Sequence, residues 1–125
     1  KLGLNDDVKL LGEVHHRELP VYYSAADLVF IPYRFLELNE GSAVAEAFSC
    51  ARPVAGFKKD ASVDTEQVGG FLVEPSSKGA GAFVERVLDE EYLKRKGNEA
   101  KQMSKDFTSD ETARRLESIY LEILR

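Results

Sequence analysis

Leu28-Val29-Phe30-Ile31 is an unbroken apolar run that Pro32 closes, and its reading decides the fold. A strand with one wet face alternates apolar and polar residues. A strand covered on both faces has no need to, so this run reads as a strand with helices packed on both of its faces. Val8 to Leu11, closed by Gly12, reads as an earlier strand, with about sixteen residues between the two runs. That separation suits a crossover helix and is too long for a hairpin, so the two strands are expected to run parallel. Within it Leu19, Tyr22, Tyr23 and Ala26 fall at i, i+3, i+4 and i+7, one apolar stripe of a short helix. Pro20 fits the first turn of that helix, where its missing N–H has no partner to lose.

Downstream the alternation continues. The spacing predicts a helix from about Gly41 to Cys50, a strand over Pro53 to Phe57 and a short strand at Phe71-Leu72-Val73. Lys58 to Gly70 carries no long periodic stripe and is expected to be a loop with a helical turn near Val63 to Val68. From Ser77 onward the pattern is helical. Phe83, Val84, Val87 and Leu88 form one stripe, and Leu93, Lys96, Gly97, Ala100 and Met103 a second. Thr108 and Glu111 stand at capping-box spacing before a third stripe of Leu116, Ile119, Tyr120, Ile123 and Leu124, expected to pack on its own domain. Strands alternating with helices give an α/β fold, a Rossmann-like parallel sheet with helices on both faces.

The 125 residues make a single domain, 1–125, with 43% hydrophobic and 31% charged residues, an ordinary globular balance. Seventeen Lys and Arg against twenty-two Asp and Glu give a net charge of −5, with no basic block to neutralise phosphates, which argues against a nucleic-acid binder. Leu28 to Pro32, the longest apolar stretch, falls far short of the roughly 20 residues a membrane-spanning helix needs. Lys1 to Asp7 has no apolar core of a signal peptide. One cysteine forms neither an internal disulfide nor a cysteine-rich zinc site, so a cytoplasmic setting is expected.

The most informative chemistry lies in Glu37-Leu38-Asn39-Glu40-Gly41-Ser42-Ala43-Val44-Ala45-Glu46. An acidic loop and a glycine follow a buried strand, and a helix then begins with small side chains in its first turn. Ligand crevices of open parallel sheets lie beyond the strand C-termini, where helix N-termini direct unpaired N–H groups, and small residues let a phosphate or a cluster of sugar hydroxyls approach them. Glu46 is the odd residue on an Ala/Val/Phe helix. It either accepts hydrogen bonds from a vicinal diol or simply faces solvent. No Gly-x-x-x-x-Gly-Lys-Ser/Thr and no Gly-x-Gly-x-x-Gly occurs, which argues against P-loop and classical dinucleotide modules. His15 and His16 are adjacent and diverge, so with Glu18 they make no metal site, and no metal ligand set is expected elsewhere. Cys50 reads as an inert small residue, and Tyr22 and Tyr23 as core or rim aromatics. Lys58 and Lys59, on the loop after a strand, are either solvated or set to meet phosphate.

Val8-Lys9-Leu10-Leu11-Gly12-Glu13-Val14, Tyr22-Tyr23-Ser24-Ala25-Ala26-Asp27, the strand ending at Pro32, Glu46-Ala47-Phe48-Ser49-Cys50-Ala51-Arg52-Pro53-Val54 and Gly70-Phe71-Leu72-Val73-Glu74-Pro75 together resemble the C-terminal domain of retaining GT-B glycosyltransferases of the group 1, GT4 type. The resemblance runs through essentially the whole chain. It implies a nucleotide-sugar donor as substrate, with no separate cofactor and no metal. It places Glu46 on the ribose hydroxyls, the backbone of Gly41, Ser42 and Ala43 toward the sugar and diphosphate, and the Val14-His15 loop beside the base. A second family glutamate, which contacts the transferred sugar, falls on Leu38, so Glu37 or Glu40 is the catalytic candidate in its stead. Asp64 stands near an acidic position of the family loop, without the glycine pair that usually precedes it. The family's first two βα units, their basic pair and the acceptor-binding N-terminal domain are not among these residues, so the resemblance implies the later part of a donor-binding domain, inactive alone. A sheet without those strands is expected to dimerise or to expose apolar surface. The alternative function is a non-catalytic Rossmann-like interaction or scaffold module.

Overall fold

A computed structural model describes residues 3, 4, 7–32, 41–59 and 64–125. Four strands, β1 (Val29–Ile31), β2 (Val54–Phe57), β3 (Glu66–Gln67) and β4 (Gly70–Val73), form one sheet in the order β1-β2-β4-β3. The helices are α1 (Leu19–Ala25), α2 (Ser42–Ser49), α3 (Ser77–Val87), α4 (Glu90–Met103) and α5 (Ser109–Ile123), with 3-10 turns at His16–Glu18 and Ser104–Phe107. β1, β2 and β4 run parallel, Val29 opposite Val54 and Val54 opposite Gly70, as a crossover helix between successive strands demands.

Side chains alternate across this sheet and are apolar both ways. Ile31, Val54 and Leu72 face one side with Val44, Ala47 and Phe48 of α2 and Ala100 of α4. Ala55, Phe71 and Val73 face the other with Leu93, and Phe83 and Val87 of α3 pack against them. The continuous apolar runs of the sequence are thus two interleaved half-cores, and the α/β Rossmann-like architecture holds. Pro20 sits in the first turn of α1, and Thr108 Oγ1 accepts from the Glu111 backbone N–H at 3.3 Å, as the spacing predicts. The Glu111 carboxylate turns instead to Arg115, 3.0 Å away, so only half of the capping box forms.

Three expectations change. Val8 to Leu11 is not a strand, and Leu10 is 95% exposed. No ladder partner lies beside it among the described residues, and an extended segment with neither hydrogen-bonded neighbour nor buried face gains nothing that would hold it as a strand. The expected helical turn near Val63 to Val68 is, in its described part, the antiparallel strand β3, so the sheet is mixed rather than wholly parallel. Gly69 is the cause: at φ +75° it turns the chain between Gln67 and Gly70, and a Cβ there would lie 2.6 Å from Phe48 Cζ. Finally, α5 has no buried residue. Its principal contact is the 3-10 turn Ser104–Phe107 that launches it, and Ile119, Tyr120 and Ile123 stay exposed. The expected packing of its stripe on the domain therefore does not occur among the described residues, because the helix rests mainly on the turn at its own start.

The hairpin is tied down from α4. Lys96 is buried to 4% exposure, and its Nζ donates to the Gln67 carbonyl at 2.7 Å and pairs with Glu66 and Glu99 at 3.2 and 3.1 Å. No helix among the described residues is long and apolar enough to cross a membrane.

Candidate functional site

The C-terminal ends of three parallel strands define one end of the sheet, and α2 and α3 begin there. α2 starts from Gly41, whose φ of +95° is open to glycine and strained for other residues. Among the described residues no side chain caps this helix. The N–H groups of its first turn, flanked by Ser42 and Ala43, have no partner within the helix.

One turn further on, Glu46 meets α1. Tyr23 Oη donates to Glu46 Oε2 at 3.0 Å, and His16 Nδ1 lies 4.0 Å from Oε1. The His16 side chain is 79% exposed and that of Glu46 28% exposed. Together with Pro20, Cys50 and Phe107 these residues line a concavity of about 250 Å³. Its walls are largely apolar and its one carboxylate is half sheltered. Among the described residues neither arginine nor lysine lines it, so it suits a neutral hydrogen-bond donor such as a hydroxyl far better than an anion. Burial, and then the hydrogen bond to Glu46, push the Tyr23 phenol up to about 12. Tyr23 is accordingly a fixed donor at any ordinary pH.

The sequence candidates divide on this geometry. Glu46 is in the concavity. Gly41, Ser42 and Ala43 form the neighbouring N-terminus of α2 and do not line it. His15 caps the following 3-10 turn, its Nδ1 accepting from the Arg17 N–H at 3.3 Å, and neither it nor Val14 reaches the concavity. Glu37 and Glu40 lie outside the described residues. Lys58 lines a different cleft, of about 240 Å³, beside Lys78 and Arg86, and shares no wall with Glu46. Asp64 is spent locally, accepting from the Glu66 N–H at 3.2 Å.

Two residues that sequence reasoning set aside join the site, His16 and Tyr23. Spacing places both Tyr22 and Tyr23 on the stripe of α1, at i+3 and i+4, so the sequence carries no signal that tells them apart. Tyr22 is 44% exposed, whereas Tyr23 packs against the core beside Val44 and Phe48. Larger hollows lie elsewhere. One of about 680 Å³ is bordered by Asp27, Arg52 and Pro53, just ahead of β1 and β2, the end of a parallel sheet opposite to its ligand crevice. Among the described residues no three His, Cys, Asp or Glu side chains gather as a metal would require.

No curated protein matches the chain. The family model described as glycosyl transferases group 1 matches residues 1–89, which take in α1, β1, α2, the whole sheet, α3 and every residue of the Glu46 concavity except Phe107. With most of its length matched and a Rossmann-like sheet carrying the site, the chain belongs to the group 1 glycosyltransferases.

Proposed function

We propose that the chain is the donor-binding part of a retaining, GT4-type GT-B glycosyltransferase and that Glu46 accepts hydrogen bonds from the ribose hydroxyls of a nucleotide-diphosphate sugar. The observation that carries this reading is the Glu46 carboxylate, 28% exposed in a concavity that no arginine or lysine lines among the described residues, one turn along α2 from its N-terminus. A hydroxyl pair is the natural ligand of such a carboxylate, and the diphosphate belongs beside it, at the unpaired N–H groups of Gly41, Ser42 and Ala43. There it would gain most as charge develops on the leaving group, which is the differential binding that speeds transfer. Glu37 or Glu40 would serve the transferred sugar, and Val14 and His15 would border the base.

In this reading no metal and no separate cofactor takes part, and an acceptor-binding domain completes the catalytic unit. The outer edge of β1, which no strand pairs among the described residues and where Phe30 is 41% exposed, is where the isolated chain would self-associate. The test is calorimetric titration with UDP, GDP and ADP, wild type against Glu46→Ala. Binding by the wild type that the variant loses supports the assignment. Equal binding by both removes the role of Glu46, and binding by neither favours a scaffold module.

A further inference from the structure

Glu46 does not stand free in its concavity. One of its oxygens is already held, and the holder is itself rigid. Tyr23 packs its ring against the core cluster of Ile31, Val44 and Phe48 and directs its hydroxyl across the α1–α2 contact to Oε2, 3.0 Å away. Oε1 is differently placed. Among the described residues His16 Nδ1 lies 4.0 Å from it, beyond hydrogen-bond length, on a side chain 79% exposed. Ser49, also at the rim, offers no competing donor, because its Oγ is turned back to the Ala45 carbonyl at 2.8 Å.

We infer that Tyr23 is a positioning residue for this site, its hydroxyl locking the Glu46 carboxylate so that Oε1 is presented to the sugar diol of the nucleotide. The inference rests on the proposed nucleotide site and goes beyond it by assigning how the carboxylate is aimed. The physical reason is preorganisation. A glutamate on a helix surface loses side-chain freedom when a ligand fixes it, and a donor that fixes it beforehand removes that cost from binding. Tyrosine suits the task because it has few rotatable bonds and a core-anchored ring. With its phenol raised to about 12 it also stays protonated, a donor throughout the neutral range.

A double-mutant cycle decides it. Wild type, Tyr23→Phe, Glu46→Gln and the double variant are titrated with whichever of UDP, GDP and ADP binds wild type most tightly, and with its 2′,3′-dideoxy counterpart. Tyr23→Phe is expected to weaken the ribonucleotide by roughly three- to tenfold, the worth of about one hydrogen bond, and to leave the dideoxy form unchanged. In the Glu46→Gln background it should add nothing to that discrimination. Equal loss for both nucleotides, the mark of a merely structural role, overturns the inference, as does no loss for either. If wild type binds none of the three nucleotides, the site assignment fails and the inference with it; if wild type binds and discriminates, only the role of Tyr23 is at stake. Should Tyr23→Phe not fold, Tyr23→His keeps a ring while displacing the donor, and the same comparison applies.

Discussion

Lys96 Nζ on α4 lies 3.2 Å from Glu66 Oε2 on β3, joining a helix to a two-residue strand thirty positions earlier. The lysine side chain is 5% exposed and that of Glu66 45% exposed, so the pair spans the boundary between interior and water. Glu99 completes the arrangement at 3.1 Å from the same ammonium, and Arg86 approaches Glu66 at 3.1 Å. This cluster, rather than apolar packing, is what tethers the exposed outer strand of the hairpin.

Removing the ammonium should therefore cost more than a surface ion pair and less than a fully interior one. Lys96→Ala leaves the Gln67 carbonyl without its ammonium donor and takes one of several partners from each of the Glu66 and Glu99 carboxylates. A loss of about 2 to 3 kcal/mol is expected, between the values of exposed and buried pairs. Urea unfolding of the variant against wild type reads it.

Acid should loosen the same cluster. Burial alone would raise the Glu66 carboxyl, but hydrogen bonds from Tyr92, Arg86 and Lys96 bring it below its ordinary value of 4.5. Glu99 is likewise lowered despite burial, by the Gly69 N–H and Lys96. A depressed carboxyl stabilises the fold above its unfolded pKa and loses that contribution as pH falls through its folded one. Stability should therefore hold down to about pH 4.5 and decline below it. A Lys96→Ala variant should decline less over the same interval in a denaturant series against pH.

Alkali acts with the opposite sign. Burial first, and then a hydrogen bond to a glutamate, raise Tyr23 and Tyr92 from 10.0 to about 12. A raised group contributes fully below its unfolded pKa and loses the contribution as pH climbs to the folded value. The expected loss runs from about pH 10 to pH 12, and Tyr23→Phe should flatten part of it. Thermal midpoints across that interval make the comparison.

Core and stripe should separate cleanly under truncation. Phe48 is fully buried beneath the hairpin turn, so Phe48→Ala is expected to cost roughly 3 to 5 kcal/mol. Ile119, on the exposed stripe of α5, is 49% exposed, and Ile119→Ser should change stability by no more than about 0.5 kcal/mol. A large loss at Ile119 would mean that α5 is covered in solution.

Gly69→Ala combines two penalties. The position has φ +75°, and the added methyl would meet Phe48 Cζ at 2.6 Å, so a loss of more than about 1 kcal/mol is expected at equilibrium unfolding.

Much of the fold was readable from local pattern. Leu28 to Ile31 and Phe71 to Val73 announced strands because nothing polar interrupts them, although the first supplies β1 at the edge of the sheet among the described residues, and Thr108 announced a helix start through its own hydroxyl. The stripe of Leu93, Lys96, Gly97 and Ala100 was equally readable, and all four are buried. Lys96 there is a charge on a core face, and neighbouring sequence holds no hint that Glu66 will answer it. The strand β3 escaped notice for a related reason: two residues show no periodicity, and their pairing depends on Gly69 and on a lysine far along the chain.

Composition and periodicity were sufficient for the alternation of strand and helix and for the parallel arrangement of β1, β2 and β4, since each depends on residues within a few positions of one another. The fate of Val8 to Leu11 and of α5 was not a local matter. Apolar residues at strand or helix spacing state a willingness to be covered, and whether a covering surface lies within reach is settled by the path of the whole chain. The same holds for Tyr23. Its place on a helix was evident from spacing, but its bond to Glu46 exists only because α1 and α2 pack side by side on one face of the sheet.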